Sequence, residues 1–195
     1  MSDLVDFYRD ECSWNPDAPK VHPLGFTLFD IVHNWTDDDW EQDHDFIQWL
    51  FPLKEPSNFS ELAPILTDED IAIFQADPKL REVVFESYLR FLKFLGMTCK
   101  PDENGRWVTK RMVANQTGIG EEFFTQAEVD KKMHVWKHAN HNWLRISRCL
   151  RSLRLLGLQY AADSFFEELS AIFNENTGVS QHTFDFWVEA QHGDL

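Results

Sequence analysis

The 195-residue chain carries 33 Asp and Glu against 18 Lys and Arg, a formal net charge of −15. A surface this acidic repels phosphate backbones and anionic lipid, which argues against nucleic acid and membranes as partners. With 43% hydrophobic residues, 17 Phe and 8 Trp, the chain is built to bury an aromatic-rich core rather than to remain disordered.

In chain order, residues 1–23 read as an irregular N-terminal arm, with prolines at 16, 19 and 23, and residues 24–190 as a single helical domain. A short helix is expected over Thr27 to His33. The next is capped by Thr36, runs to about Phe51 and stops at Pro52. Pro52 to Leu66 reads as an ordered loop. Thr67 caps a short helix, and Asp77-Pro78 starts a longer one that Gly96 closes. Cys99 to Gly120 is the least helical region. The Asn104-Gly105 pair predicts a small hairpin near 99–108, and Gly118 to Gly120 a flexible loop. Thr125 with Glu128 opens another helix. A long one follows from Asn140 to Leu156, then one from Tyr160 to Asn174, and last one from Ser180 through Trp187. The expected class is all-α: a compact single-domain bundle of six to eight helices with irregular loops.

The three cysteines, Cys12, Cys99 and Cys149, are odd in number and widely spaced. That argues against a disulfide framework or zinc knuckle and for a reducing compartment, cytoplasm or nucleus. Met1 to Asp10 lacks the apolar segment of a signal peptide, and no run approaches a membrane span.

Two helix faces could carry chemistry. On the helix after Thr36, Trp40, Ile47 and Phe51 form an apolar stripe, while Asp37, Glu41, His44 and Gln48 share another face. His44 falls at the border between them, where partial desolvation tunes a histidine near neutral pH. On the helix from Asn140, Trp143, Ile146, Cys149, Leu150, Leu153 and Leu156 form the apolar face. His141, Arg145, Arg148 and Ser152 align opposite, within a basic run completed by Arg151 and Arg154. Arginine forks suit carboxylates and phosphates. Three readings stay open: solvated surfaces, a structural ion network joining Asp37 or Glu41 to Arg145 or Arg148, and a pocket between the two helices.

Weaker signals are set aside. Asp37-Asp38 with Glu41 has no second magnesium motif beside it. His134, His138 and His141 recur at helical spacing across a helix break. There is no Gly-rich phosphate loop, nucleophile elbow or nucleophilic cysteine context, so neither metal nor cofactor is expected.

Two stretches are more specific than these patterns require. The first runs from His44 through Gln48, Trp49, Pro52 and Glu55 to Pro56, after Asn34-Trp35-Thr36-Asp37. The second is His141-Asn142-Trp143-Leu144-Arg145-Ile146-Ser147-Arg148, continuing to Gly157. Together they resemble the conserved domain of the opioid growth factor receptor family, over about Phe7 to Phe173, with Cys99 to Val135 matching least. The resemblance implies an α-helical domain and, from the animal receptor, binding of an enkephalin-type peptide in the perinuclear and nuclear compartment.

The resulting expectation is a ligand-binding module taking a small molecule or short peptide through Glu41, Gln48, Trp49, Asn142, Arg145 and Arg148. The alternative is a cofactor-independent enzyme of cyclase, isomerase or condensing type. There His44 and His141 would exchange protons and the arginines would stabilise negative charge. A third reading makes the motifs a fold-stabilising network.

Overall fold

The computed structural model describes residues 2–9, 22, 23, 25–114, 124–137, 140–175 and 177–195, the side chains of 134 and 137 excepted. The chain is mostly helical and divides into two compact units, Met1–Tyr88 with Leu155–Leu158, and Leu89–Arg154 with Gln159–Leu195.

In the first unit, α1 (Asp3–Tyr8) is capped by Ser2, whose hydroxyl accepts from the Val5 amide at 3.3 Å. This corrects the expected irregular arm over these residues; Asp10 to Val21 and Leu24 lie outside the described residues. Six residues cannot hold a helix by propensity. Here packing does so: Leu4, Val5, Phe7 and Tyr8 are buried, Phe7 meets the Trp49 ring at 5.2 Å and Tyr8 meets Phe74 at 5.1 Å, both edge-on. Residues Asp30–Asn34 form a π-helical turn.

The helix expected from Thr36 to Phe51 is two helices, α2 (Asp37–Gln42) and α3 (Phe46–Leu50). Asp43 leaves the helical region with φ −83 and ψ 138. Its carboxylate accepts from the amides of Asp45 at 2.8 Å and Phe46 at 3.3 Å, replacing ladder bonds that a continuous helix would need. The apolar stripe survives the break, since Trp40, Phe46, Ile47, Leu50 and Phe51 are all buried. Beyond the proline loop come α4 (Asp68–Ala76) and α5 (Pro78–Phe94). Gln75 of α4 donates to the Leu155 carbonyl at 2.9 Å.

The second unit begins within α5. After Gly96, in the left-handed region at φ 73, β1 (Met97–Pro101) pairs antiparallel with β2 (Trp107–Arg111), Met97 opposite Arg111 and Pro101 opposite Trp107. The hairpin turns at Gly105, as its dipeptide predicts. The remaining helices are α6 (Gln126–Lys132), α7 (His134–Lys137), α8 (Asn142–Leu155), α9 (Gln159–Asn174) and α10 (Gln181–His192). The last runs well past Trp187. The expected loop at Gly118 to Gly120 lies outside the described residues. Helices α2, α4 and α6 share one start signal. Thr36, Thr67 and Thr125 each bond reciprocally with the acid three residues on: Asp39, Asp70 and Glu128. No helix among the described residues is long and apolar enough to cross a membrane.

Candidate functional site

The first motif lies in the first unit. His44 sits in the connection between α2 and α3 and is exposed, not at the border of a helical stripe. The helix break explains the difference, because a wheel drawn through Asp43 has no physical counterpart. Glu41 is half-buried at the end of α2. Gln48 is 4% exposed, and the end of its side-chain amide that faces the carbonyls of His44 at 2.8 Å and Asp45 at 2.9 Å satisfies both as the nitrogen. Trp49 is also 4% exposed; its indole donates to the Leu62 carbonyl at 3.2 Å, and its ring lies 4.9 Å from that of His22. Gln48 and Trp49 thus clip the turn before α3 and the loop after it onto the core. Burial pushes the His22 imidazole below its usual value, with the carboxylates of Asp43 and Asp45 pulling the other way.

The second motif lies in the second unit and divides by depth. Asn142 and Arg145 are fully and almost fully buried, and the Arg145 guanidinium donates to Asn142 Oδ1 at 3.1 Å. Ser152 is buried on the same side. The face expected to be polar and outward is therefore largely inside. The outward ridge is instead Leu144, 51% exposed, with half-buried Ser147, Arg148 and Arg151, and exposed His141 at its start. Arg154 is spent otherwise: it donates to the carbonyls of Ala190 at 2.8 Å and Gly193 at 3.0 Å, closing the C-terminal end of α10. Indole donors fix the ridge from behind. Trp143 reaches the Val135 carbonyl and Trp187 reaches the Trp143 carbonyl, both at 3.0 Å.

Neither His44 nor His141 has the enclosure that concentrates acid–base chemistry. Of the histidine triplet, His138 lies outside the described residues, and so does the side chain of His134.

The conserved region described as "Opioid growth factor receptor (OGFr) conserved region" matches residues 3–193. The chain belongs to the opioid growth factor receptor family. It is 30% identical over 191 residues to the human opioid growth factor receptor, covering 95% of this chain and 25% of that protein. The mouse receptor matches at the same identity, with 26% of its length covered. Opioid growth factor receptor-like protein 1 of Xenopus tropicalis is 28% identical over 188 residues, 93% of this chain and 32% of that protein. The chain thus spans about a quarter of the length of the receptors it matches. No solved structure matches it. Both motifs lie within the matched region, and the burial of Gln48, Trp49, Asn142 and Arg145 describes how this chain's copy of the domain is held together.

Sequence reasoning missed one charged cluster. Glu168 on α9 is 3% exposed and accepts from Lys110 Nζ at 2.9 Å, from Arg111 Nε at 3.0 Å and from the Arg111 amide at 3.2 Å. Arg111 also forks onto both oxygens of Glu175 at 2.7 Å. A signal was present: Glu168 interrupts the helical stripe of Phe165, Leu169 and Ile172, where a charge requires a partner. A cleft of about 250 Å³ at the hairpin is lined by Thr98, Val108, Met112 and Phe124, among others, together with Lys110 and Arg111.

Proposed function

We propose that the chain is a ligand-binding module for a small molecule or short peptide carrying an anionic group. The outer ridge of α8 receives it: Arg148 takes the anion, and Leu144, Arg151 and His141 flank it. Arg145 and Asn142 support that ridge from inside rather than meeting the ligand. The observation that carries the reading is the division of the second motif. Its inner residues are committed to each other, while its outer ridge sets an exposed leucine among half-buried arginines. Apolar surface beside a guanidinium suits an amphipathic anion better than it suits water. The matched relatives are named receptors for an opioid growth factor, which favours a peptide. The buried thiols Cys99 and Cys149 favour a reducing compartment, cytoplasm or nucleus.

A structural reading of the inner residues has its own support, the burial of Asn142 and Arg145, and it coexists with ligand binding on the ridge. The test compares short peptides with free C-terminal carboxylates, an enkephalin-type peptide included, against their amidated forms by calorimetry. Free carboxylates should bind more tightly. Arg148→Ala should remove that preference while leaving the melting temperature within about 2 °C. Equal binding of both forms, or a preference that survives Arg148→Ala, would sink the proposal.

A further inference from the structure

The charge of the chain is not evenly spread. Met1–Tyr88 with Leu155–Leu158 holds five Lys and Arg against 20 Asp and Glu, a net −15; the rest holds 13 against 13, a net of zero. The first unit therefore carries the entire imbalance. Within it, the loop after α3 presents Phe59 at 77% exposure, Leu62 at 44% and Ile65 at 52%. Scattered exposed hydrophobics are ordinary, but three within one short loop are not.

That loop is held in place. The Ser57 hydroxyl accepts from the amides of Phe59 at 3.1 Å and Ser60 at 3.3 Å. Trp49 pins the Leu62 carbonyl, and Leu66 donates to the Leu53 carbonyl at 2.9 Å. A loop backbone already fixed in this way loses little entropy on binding. Their neighbours Glu55, Glu61 and Glu69 are exposed and acidic, while the nearby cation Lys54 pairs with Asp68 at 2.9 Å. Apolar anchors in a charged rim have the composition of a protein-docking surface.

We infer that the loop from Glu55 to Ile65 is a docking site for a basic segment of another protein, one that alternates Lys or Arg with large apolar side chains. Charge selects this occupant. An anionic membrane or a second acidic copy of the chain would meet a net −15 surface and be repelled. A basic segment gains steering from the field and burial from Phe59, Leu62 and Ile65. This loop belongs to the first unit and the proposed α8 ridge to the second, so either assignment can fail alone.

The test selects displayed random peptides on the full chain, then assays the winners as synthetic peptides by fluorescence anisotropy. Winners should combine Lys or Arg with Leu, Phe or Met and weaken as salt rises. They should bind Phe59→Ser and Glu61→Lys at least about tenfold more weakly. Both positions are exposed, so folding is retained, and Ile65→Ser provides a second check of the same surface. Arg148→Ala should leave the affinity unchanged. The inference is overturned if no basic winner emerges, if Phe59→Ser binds equally well, or if the winners depend on Arg148. Self-association of the chain that Phe59→Ser abolishes would also overturn it.

Discussion

Arg145 Nη1 donates to Asn142 Oδ1 at 3.1 Å across one turn of α8, with Asn142 fully buried and Arg145 6% exposed. A guanidinium so placed is costly unless its donors are met. Asn142→Ala removes this buried, charge-assisted bond and should cost about 1–3 kcal/mol. Arg145→Lys should be destabilising too, because an ammonium cannot reproduce the fork. Urea unfolding measures both. A neutral result for Asn142→Ala would mean the pair is ornamental, and the structural role given to the inner motif would be wrong.

His22 supplies a pH dependence. Its ring lies 4.9 Å from Trp49, 5.6 Å from Phe26 and 6.2 Å from Phe7. Burial lowers its basicity from the usual 6.5, against the opposing pull of Asp43 and Asp45. The unfolded chain takes up a proton near the usual value, while the folded chain resists it. His22 therefore costs nothing above that pH, and stability is lost as pH falls below it toward the folded value. Melting temperatures from about pH 8 to pH 5 should fall more steeply for the native chain than for His22→Gln. Parallel curves would rule out this residue as a source of acid sensitivity.

Two glycines separate backbone strain from steric clash. Gly96 and Gly105 have nearly equal positive φ, 73 and 77. A Cβ on Gly96 would stand 2.9 Å from Lys132 Cβ, whereas one on Gly105 meets nothing within 4 Å. Both Ala substitutions should cost about 1–2 kcal/mol for the left-handed conformation. Gly96→Ala should cost more, because a backbone-proximal carbon of Lys132 must also move. Thermal unfolding of the two variants decides it, and equal losses would show that α6 yields freely.

Much of this architecture was legible. The Thr36 and Thr67 caps, the Thr125–Glu128 box, the Asp77-Pro78 start, the closing Gly96 and the hairpin turn are local signals, and local geometry decided each. Two errors in the first unit have different causes, one tertiary and one local. Helix α1 exists because Phe7 and Tyr8 find ring partners distant in sequence, and the α2–α3 break exists because Asp43 bonds the amides ahead of it. Neither leaves a periodic trace. The wheel for α8 found its residues but misjudged which were buried. An arginine reads as outward by composition, and only the third dimension shows that Arg145 turns inward while Leu144 turns out. In the hairpin, Lys110 and Arg111 were invisible as a site, since their partner Glu168 lies on another element.

That cluster supports a quantitative prediction about why a carboxylate sits in an apolar stripe. The Thr109 amide donates to the Ser164 hydroxyl at 2.6 Å, and Glu168, one turn further along α9, accepts from both the backbone and the side chain of Arg111. Together these bonds dock β2 along the helix in a single register. The Lys110 ammonium is mostly exposed, so its share is screened and small; the Arg111 guanidinium is 25% exposed and contributes more. Glu168→Gln keeps the shape but removes the charge, and should destabilise by about 1–2 kcal/mol. Replacing the acid with Leu should cost less in an Arg111→Met background than in the native chain, because no buried-side cation is then left facing an apolar group. Denaturant unfolding of the native chain, Glu168→Leu, Arg111→Met and the double variant gives the coupling energy. A coupling below about 0.5 kcal/mol would mean that Ser164 and apolar packing alone set the register, and that Glu168 is merely tolerated in the stripe.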